Sequence, residues 1–246
     1  MTLGMDDLYW SGEYWRMNSQ SHDGDGLFKC ENALRLLRRN RIEPTDTLDI
    51  GCGGGAFAQE LHAKTHAKVL GIDLSSSIID KATSENQAAC VSFRRCEVTD
   101  LLSAGDKFQI AFVNDVFEHV PDYLGFLSSI RPVSEYHCFH VPLEMNALSI
   151  IRRQYEVSRR TVGHLHFFSP HSALSAIRSS GYEVVDWRIN SAVQHRRRTN
   201  RSLRNIVASA PRMIALRISP VRGTDLLGGS TLSVLARPVE SGNETW

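Results

Sequence analysis

The chain has 246 residues, of which 42% are hydrophobic and 22% charged, and its formal net charge is +1. That is ordinary globular composition, long enough to bury a core without disulfides and too nearly neutral for a global attraction to nucleic acid. Five scattered cysteines (Cys30, Cys52, Cys90, Cys96, Cys138) form no C-x-x-C pair, which argues against a zinc or redox centre and for reduced thiols in a cytoplasmic protein.

Residues 1–27 contain Tyr9, Trp10, Tyr14 and Trp15 and end in the turn-rich Ser21-His22-Asp23-Gly24-Asp25-Gly26. A helix is expected over 28–40, with Leu34 and Leu37 on its apolar side. A first strand, 46–50, runs into the glycine-rich turn Gly51-Cys52-Gly53-Gly54-Gly55-Ala56, and a helix over 55–63 follows. Glycines there let a ligand approach the backbone without meeting a Cβ, and the unpaired N–H groups of the helix start point at whatever lies over the turn. The second strand, 68–72, ends at Asp73, an acid about 20 residues past the glycines that can accept hydrogen bonds from both hydroxyls of a ribose. Further strands are expected near 91–95, 108–113, 136–141, 182–189 and 230–237, with helices near 76–88, 121–130 and 170–180. Strand alternating with helix argues for a parallel sheet with right-handed crossovers. Ligands then bind at the carboxyl ends of the strands, which puts Gly51–Gly55, Asp73, Glu97–Val98 and Asn114–Phe117 on one rim.

Two cofactor types use such a rim. The glycine turn formally satisfies the G-x-G-x-x-G/A fingerprint of a nicotinamide or flavin site. Asp49, two residues before the first glycine, favours the other type: a carboxylate beside the ligand suits an amino group and a sulfonium and would repel a pyrophosphate. Here the chain resembles the class I S-adenosyl-L-methionine (SAM)-dependent methyltransferases. Leu48–Ala56 is similar to their first motif and Val69-Leu70-Gly71-Ile72-Asp73-Leu74-Ser75 to their second. Phe93–Leu101 resembles the segment whose acid meets the adenine amino group, with Glu97 where most relatives carry Asp. Phe108–Val120 resembles the fourth strand and its loop, including Glu118-His119-Val120, whereas Arg131-Pro132-Val133 departs from the usual L-K-P-G-G turn. His164–Pro170 and Ser180–Val185 resemble a late segment of ubiquinone-biosynthesis-type and glycan-cluster methyltransferases.

The resemblance covers roughly 28–190 and resumes at 226–238. It implies a Rossmann-like α/β fold: a seven-stranded, mostly parallel sheet with helices on both faces and an antiparallel last strand beside strand six. It implies SAM as cofactor, contacted by Asp49, Gly51, Cys52, Gly53, Gly55, Asp73, Leu74, Glu97, Val98, Asn114, Asp115 and Phe117. It implies methyl transfer to a small-molecule acceptor, at oxygen. An NAD(P)-type Rossmann oxidoreductase and a catalytically silent SAM-fold binding subunit stay open as alternatives.

The acceptor side is assigned to segment 1–27 and to the insertions 142–169 and 190–229 of a single domain, 1–246, because long loops in a compact domain are usually functional or disordered. A hydroxyl acceptor must lose a proton, often to histidine. Four candidates stand near the rim: His119, His140, His164 and His166; the last two share a face if their segment is extended. Each is otherwise a hydrogen-bonded structural group. Asp115, Glu118 and His119 could jointly ligate a divalent cation, but no metal is expected. Cys52 reads as a small side chain beneath the turn rather than a nucleophile. From Arg188 to Arg222 there are nine arginines and no acid, with Leu203, Ile206, Val207 and Ala210 at helical spacing before Pro211. That segment is either a solvated face or an anion-facing insertion for a phosphorylated, nucleotide-, glycan- or lipid-linked acceptor, or for a membrane surface contacted peripherally. No nucleic acid partner is expected. Neither a signal peptide nor an apolar run of about 18 residues is read in the chain.

Overall fold

The computed structural model describes residues 25–191 and 203–239. Segment 1–24 and Arg196, Arg197, Arg198 and Arg201, on which part of the acceptor-side expectation rests, lie outside the described residues. Seven strands form one sheet: β1 (Asp46–Ile50), β2 (Lys68–Asp73), β3 (Val91–Arg95), β4 (Phe108–Asn114), β5 (Ser134–Leu143), β6 (Tyr182–Ser191) and β7 (Ser230–Pro238), in the order β3-β2-β1-β4-β5-β7-β6. The pairs from β3 through β5 are parallel, while β7 runs antiparallel to both β5 and β6 and fills the place between them. The order reverses between β1 and β4, the switch point at which such sheets bind ligands.

The central strands read as apolar runs because both of their faces are covered. In β4, Ile110 and Phe112 point to one face, and Ala111 and Val113 to the other. The first face packs on α1 (Gly26–Arg39) and α2 (Ala56–Thr65) through Leu34, Leu37, Phe57 and Leu61. The other packs on α4 (Val98–Ser103), α5 (Tyr123–Ile130) and α8 (Pro170–Ser179), through Leu101, Leu127, Ile130, Leu174 and Ile177. Between β2 and β3 lies α3 (Ser76–Glu85), which sets Ile78 and Ile79 beside Cys52.

Three segments differ from the sequence reading. Helix α4 has no periodic run to announce it; it starts where the Glu97 N–H donates to the Asp100 carboxylate, 3.0 Å. The stretch 142–169 carries two short helices, α6 (Ala147–Ile151) and α7 (Gln154–Thr161), and 190–229 carries α9 (Leu203–Ile218) and α10 (Pro220–Leu227). Pro211, expected to interrupt or kink the pattern, lies inside α9, which continues to Ile218. Packing outweighs the lost hydrogen bond: α9 lies against α10 so closely that a Cβ on Gly223 would meet the Ala215 carbonyl carbon at 2.7 Å. Arg131-Pro132-Val133 forms a single 3-10 turn, the irregular entry to β5 that its departure from the family turn implies.

Candidate functional site

A cavity of about 450 Å³ lies over the carboxyl ends of β1, β2 and β4, with α1 along one side. Its floor is the glycine turn. The N–H groups of Gly51 and Cys52 both donate to the Ile72 carbonyl at 2.9 Å, which ties the turn to the end of β2. Gly51 and Gly53 take φ of 70° and 52°, the left-handed region that favours glycine. A Cβ on Gly51 would meet Val116 at 2.7 Å, so the turn and the loop after β4 also need its small size. Asp73 closes the turn from the side: its carboxylate accepts from the Gly53 N–H at 3.1 Å and the Ser75 N–H at 3.0 Å. Burial raises its pKa while these donors pull it back. Each oxygen keeps acceptor capacity for a ligand hydroxyl.

Asp49 is 1% exposed. One of its oxygens accepts from the Asn114 amide at 3.3 Å; the other, Oδ2, is buried with no partner. Burial pushes the carboxyl up to about 7, against the Asn114 hydrogen bond and the Lys29 charge. A buried acceptor left unmade is costly, and on a cavity wall it marks where a cationic donor would be held.

Asp115 follows β4 with φ 56°, a conformation rarely adopted by a non-glycine residue. Its carboxylate meets Lys29 Nζ at 2.8 Å and His140 Nδ1 at 2.7 Å. Burial alone would raise its pKa, but the Lys29 and His140 charges hold it well below the carboxylate range. Burial lowers the Lys29 pKa, but the charge and hydrogen bond of Asp115, with smaller help from Asp25 and Glu118, leave it raised. Sequence reasoning missed Lys29. Its only trace was position: it stands four residues before Ala33, on the buried stripe of α1, where a lysine needs a partner.

His119 ends a 3-10 turn, Phe117–His119, and lines the cavity. Its Nδ1 sits 3.2 Å from the Gly163 carbonyl, which can only accept, so in that hydrogen bond Nδ1 is the donor. The neighbouring Glu118 is fully buried, both its oxygens lack a partner, and burial followed by the Asp115 charge drives its pKa well above the usual value. His164 stands behind His119, with ring centroids 4.8 Å apart, and its Nδ1 is 2.7 Å from the Glu144 carboxylate. The group among the described residues with metal-ligand spacing is Glu118, His119 and His164, within 4.8 Å, and it does not include Asp115, whose carboxylate meets Lys29 and His140.

The cavity brings together Asp49, Gly51, Cys52, Gly53, Asp73, Leu74, Glu97, Val98, Asn114, Asp115 and His119. Gly55, Phe117, His140, His164 and His166 do not line it. Gly55 faces Phe93, whose ring occupies the space of a Cβ. Phe117 is wholly buried against Phe139 and Phe168, because the tight turn sends it into the core. His140 stands behind Asp115. His166 lies 3.1 Å from the Val120 carbonyl and against Tyr123, so it does not share His164's surroundings as an extended segment would imply. The Cys52 thiol, raised by burial, stays protonated and serves as packing. Gly54 lines the wall too, as do Thr99 and Pro121, which were not singled out in the sequence. An orphaned buried acid beside a glycine cradle, with a second acid at ribose position, fits a cationic amino-acid sulfonium and not a pyrophosphate.

A family model described as a methyltransferase domain matches residues 24–186. The ubiquinone biosynthesis O-methyltransferase of Methylobacterium sp. (strain 4-46) is 29% identical over 150 residues, 56% of this chain and 60% of that protein. Its namesake from Methylococcus capsulatus is 32% identical over 195 residues, 71% of this chain and 82% of the relative. The chain therefore spans 60% of the length of the first relative and more of the second. Among solved structures, magnesium protoporphyrin IX methyltransferase from Synechocystis PCC 6803 with bound SAH superposes with a TM-score of 0.60 at 14% identity, covering 95% of this chain and 97% of its own. A putative sarcosine dimethylglycine methyltransferase from Galdieria sulphuraria gives 0.61 at 14%, covering 87% and 86%. At such identities the likeness is one of fold.

Proposed function

Because the chain belongs to the class I SAM-dependent methyltransferases, we propose that it methylates a small-molecule acceptor at oxygen, with the acceptor seated beside His119. The observation that carries this reading is the shared cavity wall: the glycine turn, Asp49 with its unpartnered oxygen, and His119, whose Nδ1 faces the Gly163 carbonyl. Relatives named ubiquinone biosynthesis O-methyltransferase support oxygen as the atom methylated.

SAM supplies a methyl group already activated on a sulfonium. Asp73 would hold the ribose hydroxyls, Glu97 the adenine amino group and Asp49 the amino group of the methionine part. What remains for the protein is to hold the acceptor in line, exclude water and take its proton. His119 is the base of this reading, with Nδ1 donating to the Gly163 carbonyl. His140 and His164 act behind the wall, on Asp115 and Glu144.

Calorimetric titration with S-adenosylhomocysteine and, separately, with NAD tests the cofactor. A SAM turnover screen over catechols, phenols, sugars and carboxylates tests the acceptor. The expected result is binding of the sulfur ligand, no binding of NAD, and turnover of an oxygen acceptor that His119→Ala lowers by roughly 10²- to 10⁴-fold. NAD binding without the sulfur ligand would return the dehydrogenase reading. Cofactor binding with no turnover across the panel would favour a silent binding subunit.

A further inference from the structure

The four helices of the two insertions form one continuous layer, since α10 packs against both α6 and α9 and α7 follows α6 directly. Gly228, at the end of α10, abuts the Asn146 side chain that caps α6. This layer presents apolar side chains that touch little else: Ile151 is 78% exposed and Ile218 81%, with Ile150, Val157, Ile214 and Leu226 also exposed. On α9, Ile214 and Ile218 are one helical turn apart and Arg217 is exposed beside them. Leu27, Leu74, Leu124, Val185 and Trp187 are exposed singly elsewhere, but six exposed apolar residues on four helices packed together mark a contact surface.

The charge on the same helices is one-sided. Arg152, Arg153, Arg159, Arg160, Arg217 and Arg222 are all exposed, whereas Glu156 is the exposed acid and Asp225 is half-buried. Exposed isoleucines on helices that also carry exposed arginines match the boundary between acyl chains and anionic headgroups. A second copy of the chain would set arginine against arginine, and nucleic acid gives the isoleucines nothing to bury against. Among the described residues no helix is long and apolar enough to cross a membrane, so the contact would be peripheral.

We infer that the layer α6–α7–α9–α10 docks on an anionic lipid surface, the isoleucines entering the headgroup boundary and the arginines pairing with phosphates. The layer connects to the cavity wall: the segment after α7 donates from the Leu165 and His166 N–H groups to the Glu118 carbonyl at 2.9 and 3.0 Å. The docked face is thus tied to the turn that carries His119, and an acceptor lodged in the bilayer would lie close to the cavity. This goes beyond the catalytic reading and does not depend on it, because vesicle binding needs no turnover.

The test is co-sedimentation of the full chain with phosphatidylcholine vesicles with and without phosphatidylglycerol, at low and high salt. Wild type should pellet with the anionic vesicles and release as salt rises. Ile150→Ser with Ile151→Ser, and Ile214→Ser with Ile218→Ser, should each weaken binding by about tenfold or more. Arg152→Gln with Arg153→Gln should weaken it by roughly tenfold and flatten the salt dependence. Affinity for S-adenosylhomocysteine should stay unchanged in all three, which shows that they are folded. The inference fails if wild type ignores anionic vesicles or if all three variants bind them like wild type. It also fails if sedimentation velocity shows that the isoleucines hold a dimer while vesicles are not bound.

Discussion

Asp49 is the residue whose environment says most about the ligand. Its carboxyl, raised to about 7 by burial, is an ordinary carboxylate in the unfolded chain. Between the ordinary carboxylate range and about 7 the folded state therefore keeps a proton that the unfolded state has lost. Its contribution to stability falls as pH rises through that window and is level above it. A cationic ligand prefers the ionised form, so the linkage for binding has the opposite sign. Affinity for S-adenosylhomocysteine should drop by up to about tenfold per pH unit below neutrality and level off above it, with proton release at neutral pH, whereas Asp49→Asn should bind weakly and show no such slope. Calorimetry in buffers of different ionisation enthalpy reads both. Asp73→Ala should cost roughly 1.5–3 kcal/mol of cofactor affinity, about 10- to 150-fold, and an unchanged affinity in a folded variant would refute its ribose role. Because Asp73 also ties down the N–H groups of Gly53 and Ser75, Asp73→Asn belongs beside it to separate a lost contact from a loosened turn. The acids at the strand ends were legible in the sequence because a strand end fixes where its next side chain points. Lys29 was not, because it reaches the site from a helix more than 80 residues before its partner Asp115, across the sheet.

At the scale of elements, the strands could be read because two-sided burial imposes long apolar runs, and β1 through β4 fall within a residue or so of the expected bounds. Helices α6, α7 and α10 could not: at 5, 8 and 8 residues they are too short for a periodic run to stand out, and they take their stability from neighbouring helices. The sheet and the turn interlock at Gly55, which has φ 81° and yields its Cβ space to the Phe93 ring of β3. Gly55→Ala should therefore destabilise by roughly 1–3 kcal/mol in urea unfolding, through strain and overpacking together. Adding Phe93→Leu should recover part of that loss, and a Gly55→Ala protein as stable as wild type would mean that the ring simply swings aside. Glu144 clasps the insertion by accepting from Ser158 at 3.0 Å and holding His164 at 2.7 Å. Glu144→Gln should speed amide exchange across 163–168 while leaving the exchange of β1 and β4 unchanged, as local opening predicts.

For the whole molecule, binding one ligand over the switch point should stabilise everything that unfolds together with the sheet. At a hundredfold excess over Kd, S-adenosylhomocysteine should add about 2.7 kcal/mol, or roughly 5–10 °C in Tm for a chain of this size, and NAD nothing. The fold class and the order of the sheet were legible because strand–helix alternation and the resemblance agree. The insertions 142–169 and 190–229 were not, since they are shaped by what they pack against and part of the second lies beyond the described residues. The position of β7 has a consequence for how the chain is made. During synthesis from the N-terminus, β5 lacks a neighbour on one edge, and β6, which pairs with β7 alone, has no strand partner until 230–238 leaves the ribosome. The sheet is finished by a long-range insertion, a slow kind of closure, and until then the nascent chain offers a template for any passing strand. A ribosome stalled before residue 230 would therefore leave an open-edged, aggregation-prone product.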